Sequence, residues 1–112
     1  MIIYKIFRRP EWEHLDAQGE TLGAPIDLAD GYIHFSTKDQ AAETAAKHFA
    51  GVNGLVLAAI DAETLGEKLV WEPSRGGQLF PHLYRALKRA EITWAADLPL
   101  GPDGHQFPGD ML

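Results

Sequence analysis

Gly31-Tyr-Ile-His-Phe-Ser-Thr-Lys-Asp-Gln40 puts a histidine in the middle of a strand-like run and follows it at once with a helix start. Read with period two, Tyr32, His34 and Ser36 project from one face, and Ile33 and Phe35 from the other. The apolar pair predicts a core side. The polar trio predicts a shared surface on which a histidine binds or donates. A strand histidine also serves as a satisfied structural residue, so the neighbouring segments have to decide between the two.

Thr37 and Gln40 fit the capping-box spacing, and Ser36 is a second candidate cap. Beyond them Ala41, Ala42, Ala45, Ala46 and Phe49 recur at helical intervals, and Gly51 suits a left-handed stop. The spacing predicts a helix over residues 38–50. His34 then lies at the end of a strand, next to a helix N-terminus. The unpaired N–H groups and partial positive charge of that terminus suit a phosphate or carboxylate, although most strand-to-helix junctions bind only water.

Working outward, residues 2–7 read as a strand with Ile2, Tyr4 and Ile6 on one face and Ile3, Lys5 and Phe7 on the other. Pro10 opens a short helix carrying Trp12 and Leu15, which Gly19 ends. Residues 23–31 read as a loop entering the His34 strand. Residues 55–60 form a continuous apolar run, the pattern of a strand buried on both faces. A further strand is expected over 69–72, closed by Pro73, and then a mobile loop over 74–78. Residues 80–89 are mixed, 92–98 read as a final strand, and the proline- and glycine-rich stretch from 99 onward reads as irregular. The expected fold class is α+β: a single domain, residues 1–112, with a mixed central sheet and two main helices.

A chain of 112 residues with 46% hydrophobic residues builds one modest core and is not disordered. A formal charge of −6 sets the overall field against general nucleic-acid binding and anionic membranes. The absence of cysteine removes disulfides, thiol nucleophiles and thiolate metal sites together. No long apolar segment follows Met1 and no run approaches a transmembrane span, so a soluble cytoplasmic protein is expected. Composition leaves the oligomeric state open.

None of His14, His34, His48, His82 and His105 forms a close metal pair, so no metal is expected. Ser36 and Ser74 are the only serines and neither lies in a Gly-x-Ser-x-Gly elbow. Two other segments carry candidate chemistry. Val70-Trp-Glu-Pro73 ends a strand with the Glu72 carboxylate, which could bond a sugar hydroxyl or stabilise a cationic centre, or simply be a solvated strand-end charge. Phe80-Pro-His-Leu-Tyr84 sets His82 and Tyr84 two apart, on one side if the chain is extended; a stacking ring beside a donor suits a nucleotide base or nicotinamide.

The order Ile-Tyr-Lys-Ile, Gly-Tyr-Ile-His-Phe-Ser, a helix ending in His-Phe, Leu-Val-Leu-Ala-Ala-Ile-Asp, Trp-Glu-Pro and Phe-Pro-His-Leu-Tyr resembles domain-of-unknown-function family nine-fifty-two, small bacterial proteins. More distantly the chain is similar to the ADP-ribosyltransferase fold, in particular to RNA 2′-phosphotransferases. There a His-x-Ser strand, an alanine-bearing helix and an apolar strand ending in Ile-Asp help to hold NAD. That likeness implies an ADP-ribosyltransferase-like fold with NAD or a related nucleotide as the cofactor. His34 would position the ribose, and Ser36 would bond the nicotinamide amide or its ribose. His82 and Tyr84 would stack or gate, and Glu72, with His34 the implied catalytic pair, would stabilise developing positive charge. Where many relatives carry histidine after the N-terminal tyrosine, this chain has Lys5, which donates to a ribose or phosphate but lacks the flat ring. Besides an ADP-ribosyl or phosphate transferase, two readings stay open: a non-catalytic module for a nucleotide or small metabolite, and an interaction domain whose active site has decayed.

Overall fold

Alternation along the first strand divides the interior in two. A computed structural model describes residues 1–109 of the chain. In β1 (Ile2–Phe7), Ile3 and Phe7 enter one apolar cluster while Tyr4 and Ile6 enter another. The chain continues through α1 (Arg9–Gln18), β2 (Glu20–Thr21), α2 (Pro25–Asp30), β3 (Ile33–His34), α3 (Lys38–His48) and β4 (Leu55–Asp61). After a 3-10 segment come β5 (Leu69–Pro73), β6 (Leu79–Leu83), β7 (Leu87–Lys88), β8 (Ile92–Leu98), β9 (Leu100–Gly101) and β10 (Gly104–His105).

The strand at the centre of the larger sheet is β4, between β1 and β8. Its apolar run has no polar face because each face meets a core. Val56, Ala58 and Ile60 pack with Phe7, Leu15, Ile33 and Leu83, whereas Leu55, Leu57 and Ala59 pack with Ala41 and Ala45 of α3. Alanines on that side of α3 let the helix approach the sheet closely. Burial of this kind contributes roughly 1.5–3 kcal/mol per large side chain, the dominant favourable term in the fold.

The smaller sheet has the order β3-β6-β5. It meets the larger one at a single bridge, in which Tyr4 and Ser36 exchange N–H···O bonds of 2.8 Å each. The chain is thus an α+β protein, with one correction to the expected sheet. Every strand pairing among the described residues is antiparallel, and the strands divide into two three-stranded sheets and two short pairs rather than one mixed sheet.

Five local expectations also change. Residues 23–31 are not a loop, because Pro25–Asp30 is a third helix, closed by Gly31. Residues 80–89 contain β6 and β7, so His82 belongs to a strand. The stretch from 99 holds the β9–β10 pair, and its residues 110–112 lie outside the described residues. The 74–78 loop is a closed turn, with bonds from Ser74 N to Gln78 O and from Gly77 N to Ser74 O, each 2.8 Å. The helix expected over 38–50 ends at His48.

Candidate functional site

The polar face of the smaller sheet brings together residues that sequence spacing had left in separate segments. His34 pairs directly with His82 across β3–β6, and Val70 pairs with the same His82 across β5–β6. Period two then puts Glu72, His82 and Tyr84 on the face of His34, while Ile33 and Leu83 turn into the core. The His34 and His82 ring centroids are 5.3 Å apart. Tyr32 covers them, 4.7 Å from His34, 4.2 Å from His82 and 5.2 Å from Tyr84.

Asp27 is the hub of this arrangement. Its side chain has no solvent exposure. Oδ2 accepts from Lys5 Nζ and from Ala24 N, both at 2.8 Å, while Oδ1 accepts from His34 N at 3.2 Å and meets His34 Nδ1 at 2.5 Å. These four contacts use the acceptor sites of a carboxylate. Burial pushes the Asp27 carboxyl up, but the His34 bond, the Lys5 charge and the Ala24 N–H outweigh it and hold the group at about 2. The backbone of Asp27 closes the same knot, its carbonyl accepting from Gly31 N at 2.9 Å and Tyr32 N at 3.2 Å. Local sequence explains the position. Pro25 opens the helix, Asp27 is its third residue and reaches back to the N-cap, and Gly31 takes the left-handed closing conformation with φ 85°.

A cavity of about 670 Å³ opens between the two sheets and α3. Lys5, His34, Ser36 and His82 line it, with Asp27, Arg8 and His48 also on its walls. Its size lies in the range of small-molecule sites, about 300–1,000 Å³. Ser36 Oγ is 2.8 Å from Thr44 Oγ1, which ties the floor to α3. At the head of α3, Thr37 N donates to Gln40 Oε1 at 3.0 Å, and Gln40 Nε2 donates to Leu79 O at 2.8 Å. The expected capping pair thereby also fixes the edge of β6.

Glu72 and Tyr84 lie outside this lining, behind His82. Glu72 Oε1 is 2.8 Å from His82 Nδ1 and accepts from Tyr84 Oη at 2.7 Å. The bonds from Tyr84 and His82 hold the Glu72 carboxyl below its ordinary value, and the same bond pushes the Tyr84 phenol up to about 12. Lys5, expected to meet a ligand directly, spends its ammonium on Asp27, with 8% of its side chain exposed. Sequence reading missed Asp27 and Asp30, whose Oδ2 stands 3.0 Å from His34 Nε2. The available signal was Pro25 and Gly31 framing an acidic third helix position. Among the described residues, no three His, Asp or Glu side chains gather as a metal would require. Among the described residues, no helix is long and apolar enough to cross a membrane.

Residues 6–95 match the family described as Protein of unknown function (DUF952). The chain is similar to protein CC0527 from Caulobacter crescentus. With its X-ray crystal structure it shares 55% identity over 98% of this chain and 96% of that one, at a TM-score of 0.92. With the solution NMR structure of CC0527 it shares 56% identity over 99% and 96%, at a TM-score of 0.86. No curated protein matches the chain.

Proposed function

The chain belongs to the DUF952 family, and from that premise we propose that its cleft binds NAD or a related nucleotide in an ADP-ribosyltransferase-like fold. The observation that carries this reading is the meeting of His34, Ser36 and His82 on one cavity, with His34 oriented by a buried carboxylate. A ribose offers hydroxyl groups to such polar side chains, and a histidine held at Nδ1 presents a fixed edge to them. Lys5 is neutralised by Asp27, so Arg8, with Glu11 3.9 Å from it, is the wall cation that would meet a pyrophosphate. Transfer of an ADP-ribosyl or phosphoryl group is the activity that suits this ligand, with His34 and His82 at the reacting end and Glu72 acting through His82.

A second reading, a non-catalytic nucleotide module, draws on the position of Glu72. Its Oε1 is committed to His82 and Tyr84, and the residue does not line the cavity. One experiment tests both. Melting of the purified chain is followed with NAD, NADP and ADP-ribose at millimolar concentration, alongside NAD turnover. Nucleotide binding stabilises by about 2.7 kcal/mol at a hundredfold excess over the dissociation constant, and His34→Ala removes most of that response. Turnover selects the transferase, and a melting shift without turnover selects the module. Neither response would remove the nucleotide reading and leave an interaction role.

A further inference from the structure

His34 and His82 face one cavity, but their rings are committed differently. Both nitrogens of His34 stand beside carboxylates, Nδ1 bonded to Asp27 and Nε2 3.0 Å from Asp30, so acceptors flank the ring on both edges. His82 Nδ1 meets Glu72, whereas His82 Nε2 has no hydrogen-bond partner among the described residues. The His82 side chain is only 5% exposed, and the residue lines the cavity. A buried polar atom without a partner is uncommon and calls for a ligand or a chemical role.

The carboxylate decides which nitrogen is which. Glu72 is kept ionised by the bonds from Tyr84 and His82. An ionised carboxylate only accepts, so the proton of a neutral His82 ring lies on Nδ1 and the lone pair on Nε2. The ring is held in place by Tyr32, 4.2 Å away at 30°. Tyr84 bonds the same Glu72 oxygen and holds the carboxylate in turn.

We propose that His82 Nε2 is the proton acceptor of the cleft, that Glu72 is the residue positioning it, and that the proton comes from a hydroxyl attacking the ribosyl C1′ of a bound nicotinamide nucleotide. This rests on the nucleotide reading above. In the step, the hydroxyl oxygen bonds to C1′ as the bond from C1′ to the nicotinamide nitrogen breaks. The electron pair of that bond leaves with neutral nicotinamide. The hydroxyl proton passes to Nε2 and then to solvent. Water or a substrate alcohol supplies the hydroxyl. His34, flanked by Asp27 and Asp30, takes no proton in the step and lines the wall beside the ribose.

The test is proton–nitrogen correlation NMR of the His82 ring in the whole chain at a pH of about 8, above the ordinary range of imidazole. Spectra are compared without ligand, with ADP-ribose, and in Glu72→Gln and Glu72→Asp. His82→Gln identifies the signals. The expected ligand-free ring carries its proton on Nδ1, and ADP-ribose, whose C1′ bears a hydroxyl, moves the Nε2 signal. Glu72→Gln keeps the backbone spectrum of the fold but changes the ring signature, and Glu72→Asp restores it. A ligand-free ring protonated on Nε2, or one indifferent to Glu72→Gln, overturns the proposal whatever binds. ADP-ribose bound with Nε2 unmoved also overturns it and leaves the nucleotide reading standing. Absence of any melting response to NAD, NADP and ADP-ribose overturns the nucleotide reading and the ribosyl step together.

Discussion

Gly23 stands so close to Asp27 that a Cβ at position 23 would lie 2.2 Å from Oδ2. The Gly23 φ of 101° is also one that other residues rarely adopt. The chain thus wraps the carboxylate with bare backbone on one side, while Ala24 N and Lys5 Nζ bond it at 2.8 Å.

Gly23→Ala should therefore move Asp27 as well as strain the backbone. The expected loss is about 1–3 kcal/mol in urea unfolding, together with a weaker nucleotide-induced melting shift. Wild-type stability in this variant would show that the approach is not tight.

Asp27→Asn leaves the Lys5 ammonium buried without its counter-charge. Breaking a buried pair from one side costs about 3–5 kcal/mol. The double variant Lys5→Met, Asp27→Asn should recover part of that loss, since the unpaired charge is gone. Equal stabilities for the single and double variants, read from denaturant midpoints, would argue against the pair.

The depressed Asp27 carboxyl sets an acid limit. Its folded value of about 2 lies below the ordinary 3.8, so the native state binds fewer protons than the unfolded chain. The stabilisation is fully present above the unfolded value and is lost as pH falls through the folded one, about 2 kcal/mol in all. Urea midpoints measured between about pH 6 and pH 2 should fall with this slope, and Asp27→Asn should flatten it.

Tyr84 gives an alkaline counterpart. Its folded value is raised to about 12 by the Glu72 bond, so the contribution of that bond is present below the ordinary 10 and is lost as pH rises through 12. Ultraviolet titration should show one phenol ionising late, and Glu72→Gln should bring it back toward the ordinary value.

Much of this was legible where chemistry is local. The two faces of residues 2–7, the run at 55–60 and the Thr37–Gln40 cap each depend on neighbours a few positions away, and each stands in the structure. The meeting of His34, Ser36 and His82 followed from alternation together with the family likeness. Asp27 was hidden because a helix of six residues shows too little periodicity to register, and its partner Lys5 lies 22 positions away. Strand-end placement marked Glu72 as available but carried no direction. Only the pairing of β5 with β6 turns it toward His82 rather than into the cavity. A loop rich in glycine, 74–78, likewise read as mobile, because composition does not reveal the bonds that close a turn.

With β4 held between two apolar clusters, the strands of the smaller sheet turn one face, through Ile33 and Leu83, into the core and the other to the chemistry. His34, Ser36, Glu72, His82 and Tyr84 all belong to the smaller sheet or its flanks, and β1 reaches them through the Tyr4 bridge to Ser36 and through Lys5 on Asp27. Such a division gives the cleft evolutionary latitude. Ligand preference could drift through successive changes at the cleft-facing positions of β5 and β6 with the core-facing Leu83 untouched, and that division makes those positions the natural place to graft a new specificity.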